Sequence, residues 1–203
     1  MNITFLITAC NEIDELKLNL TLVNIFREKQ DEILVLLDEK NYSEELKKIA
    51  ELNSDRVIFK ELNGDFSSFK NFGISESKYN YILHLDADEL INAFIINQIR
   101  GLIVNDPSIS GVHIPRINII TNASKEDLDV LNFKVNENNW INWPDYQPRF
   151  INKNSGINFI NKVHETFSNF SQTKFLEAHP VNALLHVKSL EKQKKQNKYY
   201  DSI

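Results

Sequence analysis

One cysteine, one methionine, two tryptophans, five glycines and five prolines are all that the 203 residues hold of these types. A lone cysteine, Cys10, makes no internal disulfide, and no Cys or His cluster has zinc-finger spacing. The chain therefore reads as a protein of a reducing compartment, with Cys10 a small buried hydrophobe. The scarce glycines form neither G-x-G-x-x-G nor G-x-x-x-x-G-K-[ST], so any nucleotide must be held by other means. There is also no G-x-S-x-G elbow, no H-E-x-x-H helix and no cysteine with an evident histidine partner. No apolar run approaches the roughly 20 residues that span a bilayer. The stretch Ile3 to Cys10 is too short for a secretory core with a cleavage site and runs straight into acidic sequence. A soluble, cytoplasmic protein is expected.

Positive charge is also in deficit. A formal charge of -5 excludes a general nucleic-acid binder, whose affinity needs clustered Lys and Arg in excess. The local exception is Lys188, Lys192, Lys194, Lys195 and Lys198. That run reads either as the solvated face of a last helix or as a contact with a phosphorylated acceptor or the inner face of a membrane.

What is present is an ordinary globular composition, 42% hydrophobic and 25% charged, at about one domain's length. The first half alternates nearly continuous apolar runs with amphipathic segments, the pattern of parallel strands covered on both faces by helices. ITFLITA, EILVLLD, RVIFKEL and YNYILHLD are the expected strands. Helices are expected from Ile13 to about Lys29, from a Ser43 cap to about Asn53, and from an Asp65 cap to near Lys78 with Phe66, Phe69 and Gly73 inward. After LDADEL another helix carries Ile91, Ile95, Ile99 and Leu102 and stops at Asn105-Asp106-Pro107. From Gly111 the style changes to separated strand-like runs, GVHIPRINII, QPRFINK, INFINKVHETF and NALLHV, which indicate a mixed or antiparallel second half. Thr121 to Trp143 reads as an excursion over a site. The expected fold class is α/β, a mostly parallel Rossmann-like sheet.

The candidate chemistry is acidic. Asp86-Ala87-Asp88-Glu89 ends the most apolar strand, where open α/β sheets bind ligands. In extended chain Asp86 and Asp88 face the same side, with Glu89 at the rim. Carboxylates that close suit a hard divalent cation such as Mg2+, completed by substrate phosphates. The competing reading is that Asp88 caps the next helix and Glu89 complements its dipole. Capping accounts for Asp88 and not for Asp86, and on residue types alone both readings stand.

Several segments, in order, resemble the family-two glycosyltransferases of the GT-A fold, in particular the branch associated with lipopolysaccharide and related glycan assembly. They are ITFLITACNEIDEL, EILVLLDE, GDFSSFKNFGISESKYNYILHLDADEL, YQPRFINKNSGINFINKVHETF and LLHVKSLEKQKKQNKYY. The resemblance leaves out Thr121 to Trp143. It departs from the family where Glu39-Lys40-Asn41 follows Asp38 and where Lys70 replaces the usual Arg. It implies one GT-A-like domain over 1–203, with a nucleotide-sugar half (1–104) and an acceptor half (105–203). The chain ends soon after its last helix, as a compact enzyme or the catalytic domain of a longer one would.

By the same resemblance, Thr8, Asn11, Glu12 and Asp38 line the nucleotide, Lys70 adds a fixed charge, and Asp86 and Asp88 hold Mn2+ or Mg2+ on the diphosphate of a donor, expected to be a UDP-sugar. A late histidine, His186, is a further metal ligand or diphosphate contact, or else a hydrogen-bonded core histidine. His113 and His179 lack motif context. Inverting transfer needs a base to take the acceptor hydroxyl's proton, and a carboxylate suits this. Glu165 in Val163-His164-Glu165 is the first choice, against a role as salt-bridge partner of Arg149, and Asp145 is the second. Trp140, Trp143 and Tyr146 form an aromatic group suited to an acceptor sugar or to core. The acceptor is a glycan, lipid-linked molecule or protein.

Three other readings compete. A haloacid-dehalogenase-type phosphatase carries its Asp-x-Asp on the first strand with a Gly/Thr turn, unlike this one. A nucleotidyltransferase would show a glycine-rich loop after strand one. A nucleotide-sugar or glycan-binding module without turnover keeps the same fold, and only turnover separates it from an enzyme.

Overall fold

The continuous apolar runs of the first half become parallel strands buried on both faces. In the computed structural model of the chain, which describes residues 1–169 and 171–200, β1 (Ile3–Ala9) lies between β2 (Glu32–Asp38) and β4 (Tyr81–Asp86), with β3 (Arg56–Lys60) outside β2. Strand alternation then splits the core in two. Phe5, Ile7, Val35 and Leu37 face one side with Leu16, Leu20 and Val23 of α1 (Ile13–Phe26) and Leu46 and Ala50 of α2 (Glu44–Asn53). Leu6, Leu34 and Leu36 face the other with Phe69 and Ile74 of α3 (Phe66–Glu76). Gly73 lets α3 lie close on β1, because a Cβ there would stand 2.7 Å from a Leu6 methyl. Burying each such Leu or Ile side chain contributes about 1.5–3 kcal/mol.

Ser43 and Asp65 cap α2 and α3 as expected, accepting from the backbone N–H of Leu46 and Ser68. α1 ends at Phe26, before the expected Lys29, because Arg27 is extended. The helix after the acidic motif, α4 (Ala93–Asn105), starts later than expected. Its cap is Asn92, whose Oδ1 accepts from Ile95 N at 3.0 Å, so Asp88 caps nothing. Instead Glu89–Leu90 forms a short strand, β5, antiparallel to β11 (Leu184–Ser189).

The second half completes a mixed sheet in the order β3-β2-β1-β4-β7-β6-β11-β5. β7 (Ile141–Asn152) runs antiparallel between β4 and β6 (Gly111–Thr121), while β11 is parallel to β6. The segment read as one strand, INFINKVHETF, is instead a separate two-strand ribbon of β8 (Phe159–Ile160) and β9 (Thr166–Phe167). β10 (Thr173–Phe175) pairs with the first residues of β6 and has no counterpart among the expected strands. The excursion from Thr121 holds α5 (Lys125–Val130), opened by a Ser124/Asp127 capping box, and β7 begins inside its far end. The last helix is α6 (Leu190–Tyr200). Among the described residues no helix is long and apolar enough to cross a membrane.

Candidate functional site

The carboxyl ends of β1, β2 and β4 bring Thr8, Asp38 and Asp86 to one edge of the sheet, where the fold leaves strand ends free for a ligand. Asp86 is held from three sides. Thr8 Oγ1 donates to its Oδ1 at 3.0 Å, the Lys70 ammonium stands 3.3 Å from the same oxygen, and Arg149 Nη2 donates to Oδ2 at 2.7 Å. Burial alone would raise the Asp86 carboxyl, but Lys70 and Arg149 outweigh it and hold it well below the usual carboxylate range. Lys70, 3% exposed on the inner face of α3, also closes on Glu165 Oε1, so it is no surface residue.

Behind Asp86, and missed in the sequence, lies His84, fully buried with Nε2 3.2 Å from Thr8 Oγ1. Since the Thr8 hydroxyl proton goes to Asp86, the network assigns the proton on His84 to Nε2. Burial and the nearby Lys70 charge keep the ring neutral, well below its ordinary value.

Glu89 does not reach the rim. The pairing of β5 with β11 turns it inward, where it is 0% exposed and meets two guanidiniums. Arg149 donates to it through Nε at 2.7 Å and Nη2 at 2.6 Å, and Arg116 through Nη1 at 2.8 Å. Arg149 thus pairs with Asp86 and Glu89, and Glu165, whose alternative reading was a salt bridge to Arg149, pairs with Lys70 instead. Arg116 continues the chain to Asp145, whose Oδ2 accepts from Arg116 Nε and Nη2 and from Asn118 Nδ2, while Oδ1 accepts from Gln147. Burial raises the Asp145 carboxyl, but these partners hold it below its ordinary value. Arg116 also went unassigned in the sequence, where its one signal is a lone arginine inside the apolar strand GVHIPRINII.

Asp88 has a different set of neighbours from Asp86. His186 Nε2 is 3.5 Å from its Oδ2, and the ammoniums of Lys188 and Lys192 are each 3.4 Å from the same oxygen. The partners outweigh burial and hold Asp88 far below the usual carboxylate range. Among the described residues the two aspartates placed on one side by strand alternation therefore share no polar partner, because the chain turns out of β4 immediately after Asp86. Asn118 Nδ2 is committed to Asp145, so its Oδ1 accepts from His186 Nδ1 at 2.7 Å. Burial lowers the His186 pKa, leaving a neutral ring whose Nε2 lone pair faces the Asp88 carboxylate. Two acceptors facing each other favour a cation between them.

At the turn after β1, where a nucleotide contact is expected, Glu12 Oε2 accepts from the backbone N–H of Cys10 and Asn11 at 2.9 and 3.0 Å, which fixes the turn, and Asn11 is exposed. Asp38 is 1% exposed and accepts from Leu62 N at 3.1 Å and Asn41 Nδ2 at 2.5 Å. Cys10 is half-buried, and burial pushes its thiol up. The basic run is only partly a solvated face. Lys188 lies in β11, Lys192 also binds Glu15 at 2.9 Å, and Lys194 and Lys195 pair with Asp127 and Glu191. Tyr146 leaves the tryptophan pair and packs on Phe175, its hydroxyl donating to Leu176 O. His113 stacks on Phe175, and His179 caps the turn at Val181.

No curated protein matches the sequence. Among solved structures, that of Staphylococcus aureus TarS 1-349 has a TM-score of 0.57 at 11% identity, over 93% of this chain and 60% of that one. Another S. aureus TarS structure gives 0.50 at 14% identity, over 63% of this chain and 24% of that one. These likenesses concern the fold, and this chain spans less than two thirds of either TarS chain. The pattern of the Glycosyl transferase family 2 matches residues 4–192, nearly the whole length, and the chain belongs to that family.

Proposed function

We propose that this chain is an inverting glycosyltransferase that moves a sugar from a nucleoside-diphosphate sugar, with UDP as the nucleotide, to a hydroxyl of an acceptor in glycan assembly of the lipopolysaccharide type. The observation that carries the reading is the Asp88–His186 pair, a carboxylate oxygen and an imidazole nitrogen 3.5 Å apart with the other ring nitrogen anchored on Asn118. An anchored imidazole beside a carboxylate is the donor set of a borderline divalent cation, which favours Mn2+ over Mg2+. Asp88 and His186 would hold that cation, and it would supply Lewis-acid stabilisation of the charge on the departing diphosphate. Among the described residues no third His, Cys, Asp or Glu completes the set, which leaves positions for phosphate oxygens.

The electrostatics of the edge support this need for a cation. The carboxylates of Glu12, Asp38, Asp86, Asp88, Glu89, Asp145 and Glu165 outnumber the cations Lys70, Arg116, Arg149, Lys188 and Lys192, so a bare diphosphate would meet net negative charge. Lys188 and Lys192 stand ready to turn from Asp88 to phosphate oxygens. Asp86, already held by Lys70 and Arg149, orients the donor side together with Thr8, Asn11 and Asp38.

Glu165 is the proton acceptor in this reading. Among the described residues only its Oε1 is engaged, by Lys70, which leaves Oε2 for the acceptor hydroxyl. Asp145 has both oxygens occupied and is a weaker base for it. The two halves of the chain, 1–104 and 105–203, divide into donor and acceptor sides, at work in the cytoplasm by the inner face of a membrane. Turnover of a panel of nucleotide sugars, read as released nucleoside diphosphate with and without Mn2+, tests the proposal. Release with one donor supports it, and no release from any, by transfer or by hydrolysis, leaves a binding module.

A further inference from the structure

Next to this cluster β7 departs from its ladder. The pairs Arg116↔Asp145 and Asn118↔Ile141 leave Asn142, Trp143 and Pro144 opposite Ile117 alone, and Asn142 adopts a positive φ of 53°. Such bulges re-aim side chains beside active sites. The preceding loop is latched to the bulge. Asn142 N donates to Lys134 O at 2.7 Å, Asn142 Oδ1 accepts from Lys134 N at 3.0 Å, and Asn136 Oδ1 accepts from Trp140 N at 2.9 Å. Between loop and bulge lies a groove of about 450 Å³ lined by Lys134, Val135, Asn136, Asn142 and Trp143. Trp140 stands edge-on to Trp143 with ring centroids 5.1 Å apart.

We infer that this groove is a saccharide subsite, occupied by a pyranose ring of the acceptor packed against Trp143. In naming the occupant an acceptor, the inference rests on the glycosyltransferase reading. The lining is neither apolar enough for an acyl chain nor charged enough for an acidic peptide. It offers one aromatic wall, side-chain amides and one ammonium, a set that matches the apolar face and hydroxyl edge of a sugar. Among the described residues the Lys134 ammonium has no hydrogen-bond or ion-pair partner, and neither indole N–H has one. Position fits as well. Trp143 precedes Asp145 by two residues on β7, and Asp145 shares Asn118 with His186, so the groove's aromatic wall lies on the same strand segment as one carboxylate of the proposed transfer site.

The two tryptophans of the chain are both here, so intrinsic fluorescence reports this groove. The full chain, free of nucleotide and metal, is titrated with the methyl glycosides of glucose, galactose, mannose and N-acetylglucosamine and with cellobiose and maltose. A saturable emission change with at least one sugar is expected, retained in Trp143→Phe and weakened about tenfold or more in Trp143→Ala. Asn136→Ala, in the same lining, is expected to weaken binding too and serves if Trp143→Ala does not fold. No saturable change with any of the sugars, or wild-type affinity in the folded Trp143→Ala and Asn136→Ala variants, overturns the inference. The donor reading is judged separately, by the melting shift with Mn2+ and UDP, so either can fail while the other stands.

Discussion

Asp86 and Glu165, far apart in the chain, share the ammonium of Lys70, which stands 3.3 Å from Asp86 Oδ1 and closes on Glu165 Oε1. Lys70 is carried on α3, and α3 sits close on β1 because position 73 is glycine. Helix packing thereby sets the spacing between Asp86 and the proposed base.

If Glu165 takes the acceptor proton, Glu165→Gln lowers kcat by roughly 100-fold or more while the melting shift with donor is kept. Asp145→Asn, which removes the charge that pairs with Arg116, is expected to lower stability more than it lowers kcat in the folded fraction. Steady-state kinetics and melting curves on the two variants check this. Near-normal turnover of Glu165→Gln with a collapse in Asp145→Asn would reverse the assignment.

Arg149 is buried, and among the described residues its removal leaves Glu89, at 0% exposure, with Arg116 as its one remaining cationic partner and Asp86 with Lys70 and the Thr8 hydroxyl. Breaking a buried pair from one side costs about 3–5 kcal/mol. Arg149→Met is therefore expected to lose that much in urea denaturation, whereas a change under about 1 kcal/mol would mean that the carboxylates find other partners.

His84 is buried and neutral, with its pKa below the unfolded value of about 6.5. The unfolded chain then binds the extra proton, so this histidine's stabilisation is complete above about pH 6.5 and is lost as pH falls toward the folded value. The slope is about 1.4 kcal/mol per pH unit per histidine. His84→Gln, which keeps an N–H to offer Thr8, is expected to flatten the stability profile between about pH 5 and 6.5 by one such increment. An unchanged slope would show that His84 does not titrate on unfolding. Below about pH 4 a second loss is expected, because Asp86 and Asp88 are depressed in the folded state and the unfolded chain protonates first.

Much of the first half was legible because its strands are covered on both faces. ITFLITA and EILVLLD coincide with β1 and β2, and the caps at Ser43 and Asp65 follow from side-chain chemistry one turn away. The motif Asp86-Ala87-Asp88-Glu89 was placed at the right edge but not in the right arrangement. Local alternation cannot foresee that β5 pairs with β11 and buries Glu89 against Arg116 and Arg149, residues distant in sequence. The same holds for His84, whose role comes from the neighbouring strand through Thr8. The short strands β8, β9 and β10 have no periodicity long enough to read.

The central claim is that Asp88 and His186 hold a divalent cation on a nucleoside diphosphate, and the melting temperature with Mn2+ and UDP, together and singly, tests it most directly. At a ligand concentration about 100 times the dissociation constant the stabilisation is about 2.7 kcal/mol, a shift of roughly 5–10 °C for a chain of this size. The account predicts that shift with Mn2+ and UDP together and far less with either alone. It also predicts that Asp88→Asn loses the response while melting somewhat below wild type without ligand, since Lys188 and Lys192 lose their carboxylate. Equal stabilisation by UDP in excess chelator, or a full metal-dependent shift in Asp88→Asn, would contradict it.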